Sequence, residues 1–305
     1  MIRFDNRVAI VTGAGIGLGR SHALGLAARG AKVVVNDLGA DAGGLGQSSD
    51  AANAVVEEIK ALGGESFVHG ADVSNSEQVT DMVNQAMQRW GRIDVLVNNA
   101  GILRDKSFAK MTLDDFNKVV AVHLTGSLNC CHAIWPIMQQ QKYGRIVLTS
   151  SASGLYGNFG QSNYGAAKAA MVGLMNVLHL EGVRDDIRVN TLAPSASTRM
   201  TENLLPESAH ELLAPETITP GLLYLVSEDS PSKTILSAGA GCFAQTRIYE
   251  TEGIMIEGDI TPETVARNWS KITDPTHQAE IPDAFSQTRK FAKRAAEANN
   301  IKLNW

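Results

Sequence analysis

Residues 7–37 read RVAIVTGAGIGLGRSHALGLAARGAKVVVND, and the order of their parts decides the fold. Arg7 to Thr12 is a short apolar, β-branched run of the kind that forms a buried strand. Gly13 to Gly19 follows at once, and Arg20 to Arg29 then carries a helix-like pattern. Lys32 to Asp37 is a second β-branched strand that ends on an acid. A strand–turn–helix–strand unit of this kind belongs to a parallel sheet. Glycines in the turn let the backbone come close to a pyrophosphate, and the helix N-terminus behind them offers free N–H groups and a positive dipole end. Gly13, Ile16, Gly17, Leu18 and Gly19 are therefore candidate dinucleotide contacts. A glycine-rich turn is weak evidence alone and much stronger between a strand and a helix.

Working outward, the alternation continues. Helical patterns cover Ala51–Ala61, Ser76–Trp90, Leu113–Gln140 and Tyr164–Glu181, with Ser76 expected as an N-cap and Gly126 and Pro136 as disturbances of the long helix. Strands are expected at Ser66–His69, Val95–Asn98, Gly144–Thr149, Ile187–Leu192 and Thr234–Ala238. This predicts an α/β protein: one doubly wound, Rossmann-type parallel sheet flanked by helices, over residues 1–241. Leu38 to Asp50, rich in Gly, Ala, Asp and Ser, predicts a long functional loop. Residues 242–305 lose the periodicity, apart from a helix expected near Thr261–Pro262 ahead of Trp269. They are expected to form a C-terminal extension packing on the same domain as a wrap or lid.

Composition narrows the function classes. A chain of 305 residues, 44% hydrophobic and 19% charged, has enough apolar content for one large core or two smaller ones. A net charge of −5 supplies no field for nucleic acid or an anionic membrane. The three cysteines, Cys130, Cys131 and Cys242, make neither a disulfide framework nor a zinc spacing, so no metal is expected. The N-terminal residues lack a signal-peptide pattern, no apolar run reaches spanning length, and Lys302–Trp305 is not a Ser-Lys-Leu type address. A cytoplasmic location is the expectation.

The chemistry centres on Ser151–Lys168, SASGLYGNFGQSNYGAAK. Tyr164 and Lys168 are four residues apart, about one helical turn, so the phenol and the ammonium share a face. A fixed positive neighbour lowers a phenol's pKa, and such a Tyr can pass a proton near neutral pH. Ser151 can hydrogen-bond a carbonyl or alcohol oxygen while a cofactor moves a hydride. Alone, the Tyr–Lys pair equally describes an exposed helix face. Asp37 is placed to accept from an adenosine ribose and to repel a 2′-phosphate, with Leu38 next to it where a basic residue would favour the phosphate; the expectation is NAD rather than NADP. Its alternative is a turn-opening Asp. Asp72, with Val73, is either an adenine contact or a helix-entry Asp. Asn98–Asn99–Ala100–Gly101 ends a strand at the carboxyl edge, where such sheets bind ligands.

Thr12-Gly13-x3-Gly17-x-Gly19, Asn98-Asn99-Ala100-Gly101, Ser151 and Tyr164-x3-Lys168, in that order over roughly residues 5–240, resemble the short-chain dehydrogenase/reductase family. Val33–Gly39, Asn98–Met111, Lys142–Tyr164, Thr198-Arg199-Met200 and Thr261-Pro262-Glu263-x4-Asn268-Trp269 resemble a narrower subgroup. This is the (3R)-hydroxyacyl-CoA dehydrogenase units of peroxisomal multifunctional enzymes type 2, also called 17β-hydroxysteroid dehydrogenase type 4. The expectation is a stand-alone dehydrogenase unit. The resemblance implies Tyr164 as acid/base and Lys168 as the group that lowers its pKa and holds the nicotinamide ribose. It implies Ser151 as the residue orienting the substrate oxygen. Gly13, Gly17, Gly19, Asp37, Asp72, Val73, Asn99, Ala100 and Gly101 would then line an NAD site. It also implies a small-molecule substrate, either acyl-CoA or a steroid-like alcohol, and a homodimer or homotetramer.

Three departures from the family pattern stand out. His123 occupies a position where many members have a relay Asn, and either serves a relay or packs. Pro194-Ser195 replaces Pro-Gly, and Gly239-Ala240-Gly241 replaces Asp-Gly-Gly. Leu103, Tyr156, Phe159, Met200 and Leu204 either form an apolar substrate mouth or pack within their loops. Arg104, Lys106 and Lys110 either reach CoA phosphates or form a solvated face.

Overall fold

The computed structural model describes residues 1–197 and 207–303. The chain divides into two compact units, Met1–Gln245 and Thr246–Trp305. In the first, the elements in order are β1 (Val8–Thr12), α1 (Gly17–Ala27), β2 (Lys32–Asn36), α2 (Asp50–Ala61), β3 (Ser66–His69), α3 (Ser76–Trp90) and β4 (Val95–Asn98). After β4 come α4 (Leu113–Val120), α5 (Gly126–Gln141), β5 (Gly144–Thr149), α6 (Ala152–Tyr156), α7 (Ser162–Gly182) and β6 (Ile187–Ser195). Then follow α8 (Glu207–His210), α9 (Thr219–Leu225), β7 (Ile235–Gly239) and β8 (Cys242–Thr246).

The sheet order is β3-β2-β1-β4-β5-β6-β7-β8. Pairings from β3 through to β7 are parallel. Every position of β1, β4 and β5 is buried, which is why these strands read as unbroken apolar runs rather than alternating ones. One apolar layer, with Leu26, Val55, Ile59 and Leu222, packs α1, α2 and α9 on one face. The other, with Met82, Ile134 and Met175, packs α3, α5 and α7 on the opposite face. The chain runs outward through β2 and β3, then returns to lay β4 on the other side of β1. That reversal opens a crevice at the carboxyl ends of β1 and β4, the place such sheets bind ligands.

Three sequence expectations change. Asn75, not Ser76, caps α3: its side chain accepts from Glu77 N and Gln78 N. Leu113 to Gln141 is interrupted by a π-helical turn, Ala121–Thr125, that ends just before Gly126, while Pro136 sits inside α5. Gly126 packs against Val73, where an added Cβ would lie 2.6 Å from Val73 Cγ2. Residues 242–246 add an eighth strand, exposed at most positions and therefore without the apolar signal of the inner strands.

The second unit holds α10 (Pro262–Arg267), α11 (Trp269–Ile272) and α12 (Ala284–Ala298). Thr261 caps α10 through a reciprocal pair with Thr264. Lys290 and Arg294 on α12 pair with Glu250 (2.8 Å) and Glu252 (2.6 Å). Among the described residues no helix is long and apolar enough to cross a membrane, and no cluster of metal-ligating side chains occurs.

Candidate active site

The crevice is lined by Gly13, Ile16, Gly17, Leu18, Asp37, Asp72, Val73, Asn99, Ala100 and Gly101, so these predicted dinucleotide contacts meet in one place; Gly19 is not on its wall, and Tyr164 and Lys168 line the neighbouring cavity. The turn is built by close approach. Gly13 has φ +62, and a Cβ on Gly19 would lie 2.0 Å from Gly13 O. Asn99 holds that turn from β4, its Nδ2 donating to Thr12 O (3.0 Å) and Gly13 O (3.1 Å). Thr12 Oγ1 in return accepts from Asn99 N and Ala100 N, both at 3.0 Å. No side chain caps α1 at Ile16, and its first turn carries no acid. The free N–H groups and dipole of the helix are thus left for a phosphate, and the glycines leave room for one, so a dinucleotide fits these residues.

The two acids differ. Asp37 Oδ2 accepts from Gly15 N and Oδ1 from Gly39 N, each at 2.7 Å. Two backbone donors fix the carboxylate at the cleft wall, and each oxygen keeps a lone pair for a hydroxyl. Asp72 Oδ1 accepts from Ser74 N (2.9 Å) and Ser74 Oγ (2.7 Å), a turn ahead of the Asn75 cap, while the residue also lines the cleft.

A second cavity shares Leu18, Asn99 and Gly101 with the first. It is lined by Ser151, Tyr164 and Lys168, and also by Leu103, His123, Ser153, Asn158, Gln161 and Leu213. Ser151 caps α6 through Ser153 N (3.2 Å) and hydrogen-bonds the Tyr164 side chain. Tyr164 and Lys168 lie on α7 with Lys168 Nζ 5.6 Å from the ring centroid. That ammonium donates to Thr149 O at 2.6 Å, which ties α7 to the end of β5.

The expected lowering of the phenol's pKa does not occur. Burial is the largest influence and pushes the Tyr164 pKa up; the Ser151 hydrogen bond lowers it and Asp105 raises it. The same burial pulls Lys168 down to about 7. Lowering a phenol needs a full charge close by, and this amine spends its hydrogen bond on a carbonyl at the end of β5. Its proton is labile near neutral pH instead.

His123 sits in the π-helical turn, buried and edge-on to Tyr164, with centroids 5.2 Å apart at 89°. Its Nε2 is 2.8 Å from Ile102 O and 3.1 Å from Ile102 N, and Nδ1 has no partner among the described residues. Burial, helped by the Lys168 charge, lowers it to about 3.

Arg104 and Lys106 are held by Asp115 at 3.1 and 2.8 Å, so they are not a free phosphate site. Tyr156 and Phe159 are exposed and Leu103 lines the cavity. Thr198, Arg199, Met200 and Leu204 lie outside the described residues. Sequence reasoning missed Ser153, Asn158 and Gln161, which share one hydrogen-bonded cluster: Gln161 Oε1 accepts from Ser153 Oγ (2.7 Å) and Asn158 Nδ2 (3.1 Å). Nothing in their spacing marks them, since the loop between α6 and α7 brings them together.

The short chain dehydrogenase family profile matches residues 7–209. Over 303 residues the chain is 49% identical to the peroxisomal hydratase-dehydrogenase-epimerase of Saccharomyces cerevisiae, covering 96% of this chain and 33% of that protein. The chain thus spans about a third of that relative's length. The solved structure of full-length peroxisomal multifunctional enzyme type 2 from Drosophila melanogaster superposes with a TM-score of 0.81 at 36% identity, over 97% of this chain and 50% of that one. A 7α-hydroxysteroid dehydrogenase complexed with NADH and 7-oxo glycochenodeoxycholic acid gives a TM-score of 0.70 at 30% identity, over 78% and 95%. The chain belongs to the short-chain dehydrogenase family: it is an oxidoreductase of CH–OH groups that works with a nicotinamide dinucleotide.

Proposed function

We propose that the protein oxidises a (3R)-hydroxyacyl-CoA to the 3-ketoacyl-CoA with NAD. The carrying observation is the junction of the two clefts at Leu18, Asn99 and Gly101, with Ser151, Tyr164 and Lys168 on its far wall. The dinucleotide, when bound, supplies the hydride acceptor. Ser151 holds the substrate oxygen through the hydroxyl that also meets Tyr164. Tyr164 rests as a neutral phenol, so its own proton first passes to the Lys168 amine, which titrates at about 7 and is partly free near neutral pH; the phenolate then takes the hydroxyl proton as the hydride leaves the carbon. In reduction the same groups run backwards.

The acyl-CoA assignment rests on the subgroup resemblance. It also rests on the yeast relative's name: a hydratase makes an alcohol by adding water, which a dehydrogenase in the same polypeptide can then oxidise. NAD rather than NADP rests on Asp37 and on Leu38 beside it. A second reading, a hydroxysteroid substrate, is favoured by the likeness to the 7α-hydroxysteroid dehydrogenase and by exposed Tyr156 and Phe159.

NADH formation with (3R)- and (3S)-hydroxyacyl-CoA and with a hydroxysteroid separates these readings. Turnover of the (3R) thioester is expected; turnover of the steroid alone overturns the proposal. Asp37→Ala should raise use of NADP relative to NAD by about tenfold or more, since removing the carboxylate removes both a ribose acceptor and a like-charge repulsion. An unchanged preference would count against its ribose role. Assembly as a homodimer or homotetramer, to be read from sedimentation, and a cytoplasmic location, to be read from a fluorescent fusion against a peroxisomal marker, belong to the same proposal.

A further inference from the structure

Residues 38–48 form a closed loop at the dinucleotide cleft. Ser48 N donates to Leu38 O at 3.3 Å, and a Cβ on Gly39 would lie 1.7 Å from Ser48 O, so the two ends of the loop touch. Inside it, Asp41 Oδ1 accepts from Gly43 N and Leu45 N, each at 2.9 Å. This is an Ω-loop packed on its own polar groups. Ala40, Asp41, Ala42 and Gly44 line the cleft. With glycines at φ +72, +85 and +85 (Gly39, Gly44, Gly46), the loop loses much entropy when fixed, so whatever binds against it settles its position.

One short piece of chain, Ile102–Lys106, runs between this loop and the start of α7. On the loop side, Leu103 N donates to Ala42 O (2.9 Å) and Arg104 Nε to Gly43 O (3.2 Å). On the α7 side, Arg104 O accepts from Asn163 Nδ2 (3.0 Å), Asp105 Oδ2 from Gln161 Nε2 (2.7 Å) and Gly160 O from Lys106 N (2.9 Å). Asn163 is fully buried, and its Oδ1 accepts from Tyr164 N at 2.7 Å. Arg104 also reaches Asp115 through Nη1 at 3.1 Å, and Asp115 O accepts from Asn163 Nδ2 at 3.4 Å. Arg104 is thus bonded to the loop, to α4 and to the residue before Tyr164.

We propose that Arg104 is a positioning residue: it couples closure of the 38–48 loop over the dinucleotide to the placement of Tyr164 for proton transfer. The proposal deepens the reading above and rests on its dinucleotide site, but not on the identity of the substrate. Only a guanidinium can send separate donors to Gly43 and Asp115 from fixed directions; a lysine ammonium keeps the charge and forfeits the bond to Gly43. Linkage makes the effect reciprocal: a placed Tyr164 favours the closed loop, and a bound dinucleotide favours a placed Tyr164.

Hydrogen–deuterium exchange of the full chain with and without NADH tests this without substrate. In the unmutated protein, NADH is expected to slow exchange in the glycine turn, in 39–48 and in 158–166. In Arg104→Lys and Arg104→Gln the glycine turn keeps its protection, while the slowing at 158–166 shrinks about fivefold or more. Arg104→Lys retains the Asp115 pair, which guards against a folding failure; equal slowing at 158–166 in Arg104→Lys and the unmutated chain overturns the proposal. So does an unmutated chain in which NADH protects 39–48 and leaves 158–166 unchanged. No NADH protection at the glycine turn overturns the dinucleotide reading itself, and the coupling with it. Absence of acyl-CoA turnover bears on the substrate alone.

Discussion

Lys168 is a burden on the fold, and that cost points to its use. Its folded pKa is about 7 against an ordinary 10.5, from burial. Below pH 10.5 the unfolded chain binds a proton that the folded chain holds less well, so stability rises with pH from about 7 towards 10.5, and the penalty is full below 7. Lys168→Met, which keeps the buried stem, should therefore stabilise the protein at pH 7 by about 2 kcal/mol or more. The gain should vanish near pH 10.5 while turnover falls by about 100-fold or more. Denaturant titrations from pH 6 to 10, beside an activity assay, check both halves; a variant less stable at pH 7 would contradict the burial argument. Tyr164 and Lys168 were legible because their spacing follows from helix geometry, and Ser151 through its place in the family motif. The direction of the Tyr164 shift was not, since it depends on how much protein surrounds the phenol and on where the Lys168 ammonium spends its hydrogen bond. Arg104 was legible as a charge and not as a joint, because Gly43, Asp115 and Asn163 converge on it only in the fold.

At the scale of the element, the inner strands could be read directly because burial on both faces leaves an unbroken β-branched run. The edge strand β8 and the π-helical turn before α5 leave no such trace. One follows from hydrogen bonding to β7, the other from a register shift that turns His123 inward against Ile102 and Tyr164. That inward turn has a pH signature. His123 is lowered from 6.5 to about 3, so below pH 6.5 the unfolded chain takes up a proton that the folded chain refuses, and stability is lost as pH falls through this window. His22, buried on α1 beside Thr219, is lowered to the same level by burial and adds a second proton. In His123→Asn the acid limb of the stability curve should flatten by about 1.4 kcal/mol per pH unit between pH 6 and 4. A slope identical to that of the unmutated protein would mean His123 is protonated in the fold. The glycine turn makes a simpler prediction. The Cβ of Gly19→Ala would fall 2.0 Å from Gly13 O, so the turn must open, and NADH affinity should drop by about 100-fold in a fluorescence titration.

Across the whole of the Met1–Gln245 unit, chemistry and stability occupy opposite edges of one sheet. The carboxyl ends of β1 and β4 hold the clefts, while the amino ends are closed by a charge network that sequence reading did not single out. Asp94, fully buried, accepts from Arg7 (3.0 Å), Arg92 (2.5 Å) and Val8 N (2.9 Å). Arg145, also fully buried, donates to Asp186 Oδ2 and to the carbonyls of Gly144, Asp186, Ser227 and Glu228, and lies 4.1 Å over the Tyr143 ring. In the sequence it is one polar letter inside an apolar strand; its meaning comes from carbonyls 41 to 83 positions away. Apart from Gly144 O, those acceptors belong to the turn before β6 and the chain after α9, so a single guanidinium ties the two segments together, adding to the bonds that Asp186 O, Ser227 O and Glu228 O also accept from Gly144 N, Ser230 N and Arg188. Removing it takes away several charge-assisted hydrogen bonds at once, a loss of about 2–3 kcal/mol. Arg145→Leu should therefore lower the unfolding free energy, read from a denaturant titration, by that amount. Because the residue stands at the far edge of the sheet, kcat per folded molecule should change less than twofold. A stable Arg145→Leu, or one that folds normally and loses turnover, would show that the two edges are not the separate devices this geometry makes them.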